Sequence, residues 1–304
     1  MTKILITGAT GFIGSYLTKY FIKSGYKILA HGSSDTSIDN FKKIIETDDL
    51  NLKKIEYWSQ NFLDIEWNLP DFSDIDYIIH TAAATNIREG TLENYERYFN
   101  LNVVATKILG KQALYENINH FIHLSTGQVY GNPPKFPFRE NTPKNPINIY
   151  GFTKLLGEIV ISSLGNLGLN YTIARPFSVY GKGQHNIISI IKDKIIKNEI
   201  LTIYGDGTQS RAFTHVNDIC KAIDIMLNNQ KCFGEEYNLS GIKEYSVNQL
   251  IQLIFNKLKK KPKIVYKKAS INELKRNIAE IKKIQKLGFK QSESLEAFIE
   301  NELI

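Results

Sequence analysis

The sequence predicts an α/β protein: a doubly wound parallel sheet covered by helices on both faces, then a smaller mixed α/β lobe at the C-terminal end. Three observations carry this prediction. Short apolar runs alternate with amphipathic helical stretches from the first residues onward, the pattern of a parallel sheet with helical crossovers. The first run feeds straight into a glycine-spaced turn that opens a helix. After Arg175 the alternation loosens, so the second lobe is expected to begin near Pro176. The expected division is 1–175 for the sheet and 176–304 mainly for the lobe, with some segments returning to the sheet.

Taken in order, the expected strands are Ile4 to Thr7, Lys27 to His31, Lys54 to Trp58, Tyr77 to Thr81, His120 to Ser125 and Tyr171 to Arg175. Each is a short apolar run of the length a buried strand needs. Between the first two, Ile13, Leu17 and Phe21 recur every four residues and Gly25 follows as a stop, so a helix lies on the sheet there. Further helices are expected from about Leu92 to Glu116 and from about Ile149 to Leu164. Beyond Pro176, a turn at Gly205-Asp206-Gly207 separates two extended stretches, read as a hairpin, and the remainder reads as mostly helical.

Lys3-Ile4-Leu5-Ile6-Thr7 runs into Gly8-Ala9-Thr10-Gly11-Phe12-Ile13-Gly14, with a glycine at every third position across a strand-to-helix turn. The first glycine permits the tight turn, the second lets backbone approach a pyrophosphate, and the third lets helix pack on strand. The pyrophosphate then meets free N–H groups at a helix N-terminus. Glycines serve any tight junction, but following the first strand and opening the first helix they mark a Rossmann-type, NAD(P)-binding unit. A carboxylate ending the second strand would hold the ribose 2′-hydroxyl of NAD. The strand ends instead His31-Gly32-Ser33-Ser34, with Asp35 beyond the expected point, which tilts the reading of the cofactor, NAD or NADP, modestly toward NADP.

Composition excludes several classes. The chain has 304 residues, 42% hydrophobic and 23% charged, an ordinary globular balance with no low-complexity tract. No apolar run approaches the roughly 18 residues of a membrane span, and a strand begins just after Thr2, so neither a span nor a signal peptide is expected and the expected compartment is the cytoplasm. Cys220 and Cys232 fit neither a redox pair nor a zinc site, and the six histidines lack ligand spacing, so no metal is expected. The net charge of +7 suits an anionic partner. Much of it lies in twelve lysines between Lys257 and Lys290, which read as a solvated helical surface; without a nucleic-acid-binding signature, no nucleic acid is expected.

With 16 tyrosines among many lysines, a Tyr-x-x-x-Lys spacing arises by chance once or twice in this length, so the pattern alone says nothing. It occurs once, at Tyr150 and Lys154, opening the helix after the fifth strand. Four residues apart on a helix, the two side chains share a face, so an ammonium can stabilise a phenolate. A free tyrosine near pKa 10 is a poor base, and Lys154 together with a positive nicotinamide ring is expected to lower it.

Here the sequence resembles the extended short-chain dehydrogenase/reductase superfamily, in its nucleotide-sugar epimerase/dehydratase branch. The resemblance rests on Thr7 to Gly14, His80-Thr81-Ala82-Ala83, Asn102-Val103-Val104-Ala105-Thr106, Ser125-Thr126-Gly127-Gln128-Val129-Tyr130-Gly131 and Tyr150 to Lys154. Arg175-Pro176-Phe177-Ser178-Val179-Tyr180-Gly181, Tyr204-Gly205-Asp206-Gly207 and Arg211-Ala212-Phe213-Thr214-His215-Val216 continue it. It implies catalysis by Thr126, which hydrogen-bonds the reacting hydroxyl, Tyr150, which moves its proton, and Lys154. It implies a cofactor held by Gly8, Thr10, Gly11, Phe12, Ile13, Gly32, Ser33, Asn61, Phe62, Ala82, Ala83, Asn102, Tyr150, Lys154 and Pro176. It implies a nucleotide-sugar met by Thr126, Ser178, Tyr204 and Arg211, whose guanidinium fork suits a diphosphate. For Tyr204 a role in a hairpin core is an equal reading; the lesser alternatives are a backbone-fixing role for Asn102 and a surface salt bridge for Arg211.

Departures narrow the reading. In sugar 4,6-dehydratases Asp-Glu follows the catalytic Thr, where this chain has Gly127 and Gln128, neither able to move a proton. An adenine-contacting Asp aligns with Asn61, an Asn with Ser178, and a second phosphate-binding arginine with Ser270, leaving Lys267 or Lys268 as substitutes. The expected chemistry is hydride transfer at sugar C4, by a 4-epimerase or a 4-keto-sugar reductase and not a dehydratase. The alternatives are a carbonyl reductase for a non-nucleotide substrate and a non-catalytic dinucleotide-binding sensor. The family resemblance also implies a homodimer formed through the helices Leu92 to Glu116 and Ile149 to Leu164.

Overall fold

A computed structural model describes residues 1–46, 52–269 and 274–303. The first half alternates as β1 (Lys3–Thr7), α1 (Phe12–Lys23), β2 (Lys27–Gly32), α2 (Asp35–Glu46), β3 (Ile55–Ser59) and β4 (Tyr77–His80). There follow α3 (Tyr95–Phe99), a π-helical turn at Asn100–Val104, α4 (Ala105–Tyr115), β5 (His120–Leu124), α5 (Ile149–Gly165) and β6 (Tyr171–Pro176). Every expected strand is present within a residue or so of its bounds. The expected helix 92–116 is one helical path interrupted by the π turn. The helix α2 was not anticipated, although Ile38, Phe41 and Ile45 form its buried face.

Beyond Pro176 come β7 (Val179–Tyr180), α6 (Ile187–Ile196), β8 (Ile200–Tyr204), β9 (Ser210–Ala212), β10 (Thr214–His215), α7 (Val216–Met226) and β11 (Glu235–Leu239). The chain ends with β12 (Glu244–Ser246), α8 (Val247–Leu258), β13 (Lys263–Lys267), β14 (Arg276–Asn277), α9 (Lys282–Gln285) and α10 (Leu295–Asn301). Short strands thus interleave with helices, where a mostly helical remainder was expected. The turn at 205–207 is not a hairpin: β8 pairs in parallel with β13, and β9 antiparallel with β12. Tertiary pairing wins because each stretch finds a partner distant in sequence.

One seven-stranded sheet, in the order β11-β6-β5-β4-β1-β2-β3 with every pair parallel, forms the frame. Successive side chains of a strand point to opposite faces. Ile4 and Ile6 therefore enter a core with Leu17, Phe21 and Ile223, while Leu5 enters another with Leu109, Phe121 and Ile161. A third core, Ile188, Ile191, Leu250, Ile254 and Phe298 among others, holds the smaller lobe. The strand order reverses between β1 and β4, and such a switch point opens a crevice at the carboxyl ends of the strands.

Candidate active site

The ends of β1, β4 and β5 and the first turns of α5 face a cleft of about 690 Å³. Gly8 has φ +67°, and a Cβ there would lie 2.9 Å from the Ala82 backbone. A Cβ on Gly14 would lie 2.1 Å from the Gly8 carbonyl oxygen. Gly11 caps α1 without a side-chain acceptor, and the first turn carries no acidic residue. The helix thus presents backbone N–H groups to the cleft with no competing anion, and the glycine cradle fits a dinucleotide pyrophosphate.

His31 was not anticipated. The Gly8 N–H donates to its Nδ1 at 3.0 Å, and its Nε2 lies 2.9 Å from the Gln60 carbonyl oxygen. A carbonyl only accepts, so Nε2 carries the proton. Burial pushes the imidazole down to about 4, which keeps it neutral, and its ring stacks on Phe62 at 4.2 Å. Gly32 lies behind the cleft wall: a Cβ there would come within 2.7–2.8 Å of Ser37, Ile38 and Thr10 side chains. A carboxylate at that point has no room.

Thr126, Tyr150 and Lys154 line the same cleft. Thr126 Oγ1 accepts from the Gln128 N–H at 3.2 Å, leaving its own O–H to donate, and the hydroxyl stands beside the Tyr150 phenol. Asn148 caps α5 by accepting from the Gly151 N–H at 2.8 Å, and its Nδ2 donates to Gln128 Oε1 at 3.2 Å. The loop after β5 and the first turn of α5 are thereby fixed together. Burial raises the Tyr150 hydroxyl above the ordinary tyrosine range, with the Thr126 hydrogen bond opposing. The expected lowering by Lys154 is therefore not what the chain alone provides. Burial also lowers Lys154 to about 7, with Glu158 opposing.

Of the residues expected to hold the dinucleotide, Gly8, Thr10, Gly11, Phe12, Ile13, Ser33, Asn61, Phe62, Ala82, Ala83, Tyr150, Lys154 and Pro176 line the cleft, and Gly32 and Asn102 do not. Asn102 is buried in the π turn, where its Oδ1 accepts from the Ala84 N–H at 2.9 Å and its Nδ2 donates to the Ala84 carbonyl and to Thr153 Oγ1. It ties the segment after β4 to α5. Of the substrate candidates, Thr126 and Ser178 line the cleft; Tyr204 and Arg211 lie outside it. Tyr204 is 38% exposed at the end of β8, in register with Lys267, and so is not a core residue. Arg211, half-buried on β9, donates to the Ser210 carbonyl at 2.8 Å. Ser270 lies outside the described residues. Gln60, Thr85, Arg97 and Gln184 join the walls from four separate segments, and no local motif marks them.

Among the described residues no helix is long and apolar enough to cross a membrane, and no three His, Cys, Asp or Glu side chains are grouped to hold a metal. A doubly wound sheet with a glycine cradle at its switch point and a Tyr-x-x-x-Lys pair beside it defines a nicotinamide-dinucleotide enzyme of the extended short-chain dehydrogenase type. The model of the NAD dependent epimerase/dehydratase family matches residues 4–240, and the chain belongs to that family. A provisionally named UDP-glucose 4-epimerase of Methanocaldococcus jannaschii is 34% identical over 295 residues, 94% of this chain and 92% of that one. A dTDP-glucose 4,6-dehydratase of Streptomyces niveus is 27% identical, over 83% of this chain and 76% of its own. The UDP-glucuronic acid 4-epimerase of Bacillus cereus, solved with UDP-glucuronic acid and NAD, matches with a TM-score of 0.89 at 29% identity, covering 99% of this chain and 98% of that one.

Proposed function

We propose that the chain is a nucleotide-sugar 4-epimerase acting on a UDP-sugar. One observation carries the choice over a 4,6-dehydratase: a Cβ on Gly127 would lie 2.5 Å from the Phe177 ring, so the position of the dehydratase Asp has no space for a side chain. Gln128, at the position of the dehydratase Glu, is bound to Asn148. The resemblance to 4-epimerases across nearly the whole chain supports the same reading.

In the proposed mechanism Thr126 donates a hydrogen bond to the sugar C4 oxygen, and Tyr150 takes the proton from that hydroxyl and later returns it. Lys154, as an ammonium, favours the phenolate of Tyr150 and holds the nicotinamide ribose. The bound dinucleotide supplies the hydride chemistry at C4. Gly8, Gly11 and the first turn of α1 would hold its pyrophosphate, and Asn61 and Phe62, on the cleft wall, would meet its adenosine half. Ser178, on the cleft wall, would contact the sugar, and Arg211, with Lys267 as a further cation, would meet the nucleotide diphosphate.

Two forms of cofactor are compatible with the family. Ser33, which lines the cleft, brings no carboxylate to repel a 2′-phosphate, whereas the related epimerase structure holds NAD. The mass of the cofactor released on denaturing the purified protein decides between them. The activity test incubates the protein with UDP-glucose and with UDP-glucuronic acid and follows the products by NMR. Inversion at C4 with retention of mass is expected; loss of water from a dTDP- or UDP-sugar would make the protein a dehydratase. Net consumption of NADPH on a 4-keto sugar would make it a reductase.

A further inference from the structure

Tyr150, Lys154 and Glu158 are spaced four apart on α5 and so stack along one face of the helix. Lys154 is 1% exposed and Glu158 3%. Three strands pack against that face and bring charged or titratable groups. From β4 comes His80, whose nitrogens lie 2.7 Å from Thr7 Oγ1 and 3.0 Å from Thr106 Oγ1. From β5 comes His123, which has no hydrogen-bond partner on either nitrogen among the described residues. Burial holds both imidazoles well below their ordinary range, so both are neutral. From β6 comes Arg175, fully buried, with Nε 2.7 Å from Glu158 Oε1 and Nη2 2.8 Å from Glu158 Oε2.

Among the described residues, Lys154 thus has two neutral rings on the neighbouring strands, and Glu158 is the carboxylate whose charge acts on it. The Arg175 guanidinium does not fully neutralise that carboxylate. Its Nη2 also lies 2.7 Å from Glu236 Oε2 on β11, and its Nη1 donates to the Tyr130 hydroxyl at 2.7 Å. Arg175 is shared between two anions, so part of the field of Glu158 reaches Lys154. A buried ammonium without an anion releases its proton.

We propose that Glu158 is a positioning residue for the proton transfer: one turn behind Lys154 and clamped by the fork of Arg175, it is the fixed anion that keeps Lys154 an ammonium beside Tyr150. The proposal rests on the reading of Tyr150 and Lys154 given above. It places the control of the Tyr150 phenol two helical turns away from the chemistry, in a pair that does not line the cleft.

The test is a direct titration of Lys154 in the full-length protein freed of dinucleotide. Trace acetic anhydride labels the free amine, and mass spectrometry reads the labelled fraction from about pH 5 to about pH 10. Glu158→Gln is expected to lower the midpoint by about one pH unit, a tenfold change in the ratio of ammonium to amine. Glu158→Asp, which keeps the charge, is expected to restore the native midpoint. Arg175→Lys keeps a cation but gives up the fork, frees more of the Glu158 field, and is expected to raise it. A native midpoint in folded Glu158→Gln overturns the proposal. Should that variant not fold, an unmoved or lowered midpoint in Arg175→Lys overturns it. Turnover of UDP-glucose by Lys154→Met separates the two readings: retained turnover defeats the mechanism but leaves the titration to decide on Glu158.

Discussion

The Tyr150 phenol is enclosed by the cleft and raised above its ordinary range, with Thr126 the one side chain that opposes the shift through a hydrogen bond. Tyr150→Phe is expected to lower kcat by about 10²- to 10⁴-fold while dinucleotide binding, measured by fluorescence titration, stays native. Near-native turnover in that variant would remove Tyr150 from the mechanism. His31 carries a pH dependence of its own. Its folded value of about 4 lies below the unfolded value near 6.5, so its contribution to stability is full above about pH 6.5 and is lost as pH falls toward about 4. The loss is on the order of 3 kcal/mol, to be read from urea midpoints at several pH values. His31→Gln is expected to flatten part of that decline. That Thr126, Tyr150 and Lys154 meet at one cleft was legible in the sequence because their motifs fall at the end of a strand and the start of a helix. His31 and Gln60 were not, because the bonds from the glycine turn to His31 and from His31 to the Gln60 carbonyl exist only once β1, β2 and β3 are side by side.

At the scale of elements, the junction of β1 and α1 depends on Gly14. Gly14→Ala forces a Cβ against the Gly8 carbonyl, so α1 must move off the strand and its N–H groups leave the pyrophosphate site. A stability loss of about 1–3 kcal/mol and at least a tenfold weaker dinucleotide affinity are expected, read by thermal melts and calorimetry. A native affinity would mean that the pyrophosphate binds elsewhere. The strands that the sequence announced were those with continuous apolar runs, such as Ile4 to Thr7 and Tyr77 to His80. The helix α2 was missed because its apolar positions are diluted by Asp, Ser, Asn and Lys. The strand β11 was missed because Glu235-Glu236-Tyr237 resembles a solvated turn; the sheet accepts it because Arg175 and Lys144 receive Glu236.

For the whole molecule, α5 leaves Phe152 and Ile159 exposed on one side, seven residues apart, and Leu92 stands exposed ahead of α3. We expect these to be covered by a second copy of the chain. Sedimentation should give a dimer for the native protein and a monomer for Ile159→Lys; a native monomer would leave that apolar face without a partner. The strand order has one last consequence, for the chain as it is made. The edge of β6 is closed by β11, and residues 177–234 must be laid down between them. A ribosome that has released Pro176 has therefore delivered a sheet with an open, apolar margin and Arg175 lacking one of its two anions. The nascent chain must stay guarded against edge-to-edge association until Leu239 emerges, so the smaller lobe is made inside the folding of the larger one rather than after it.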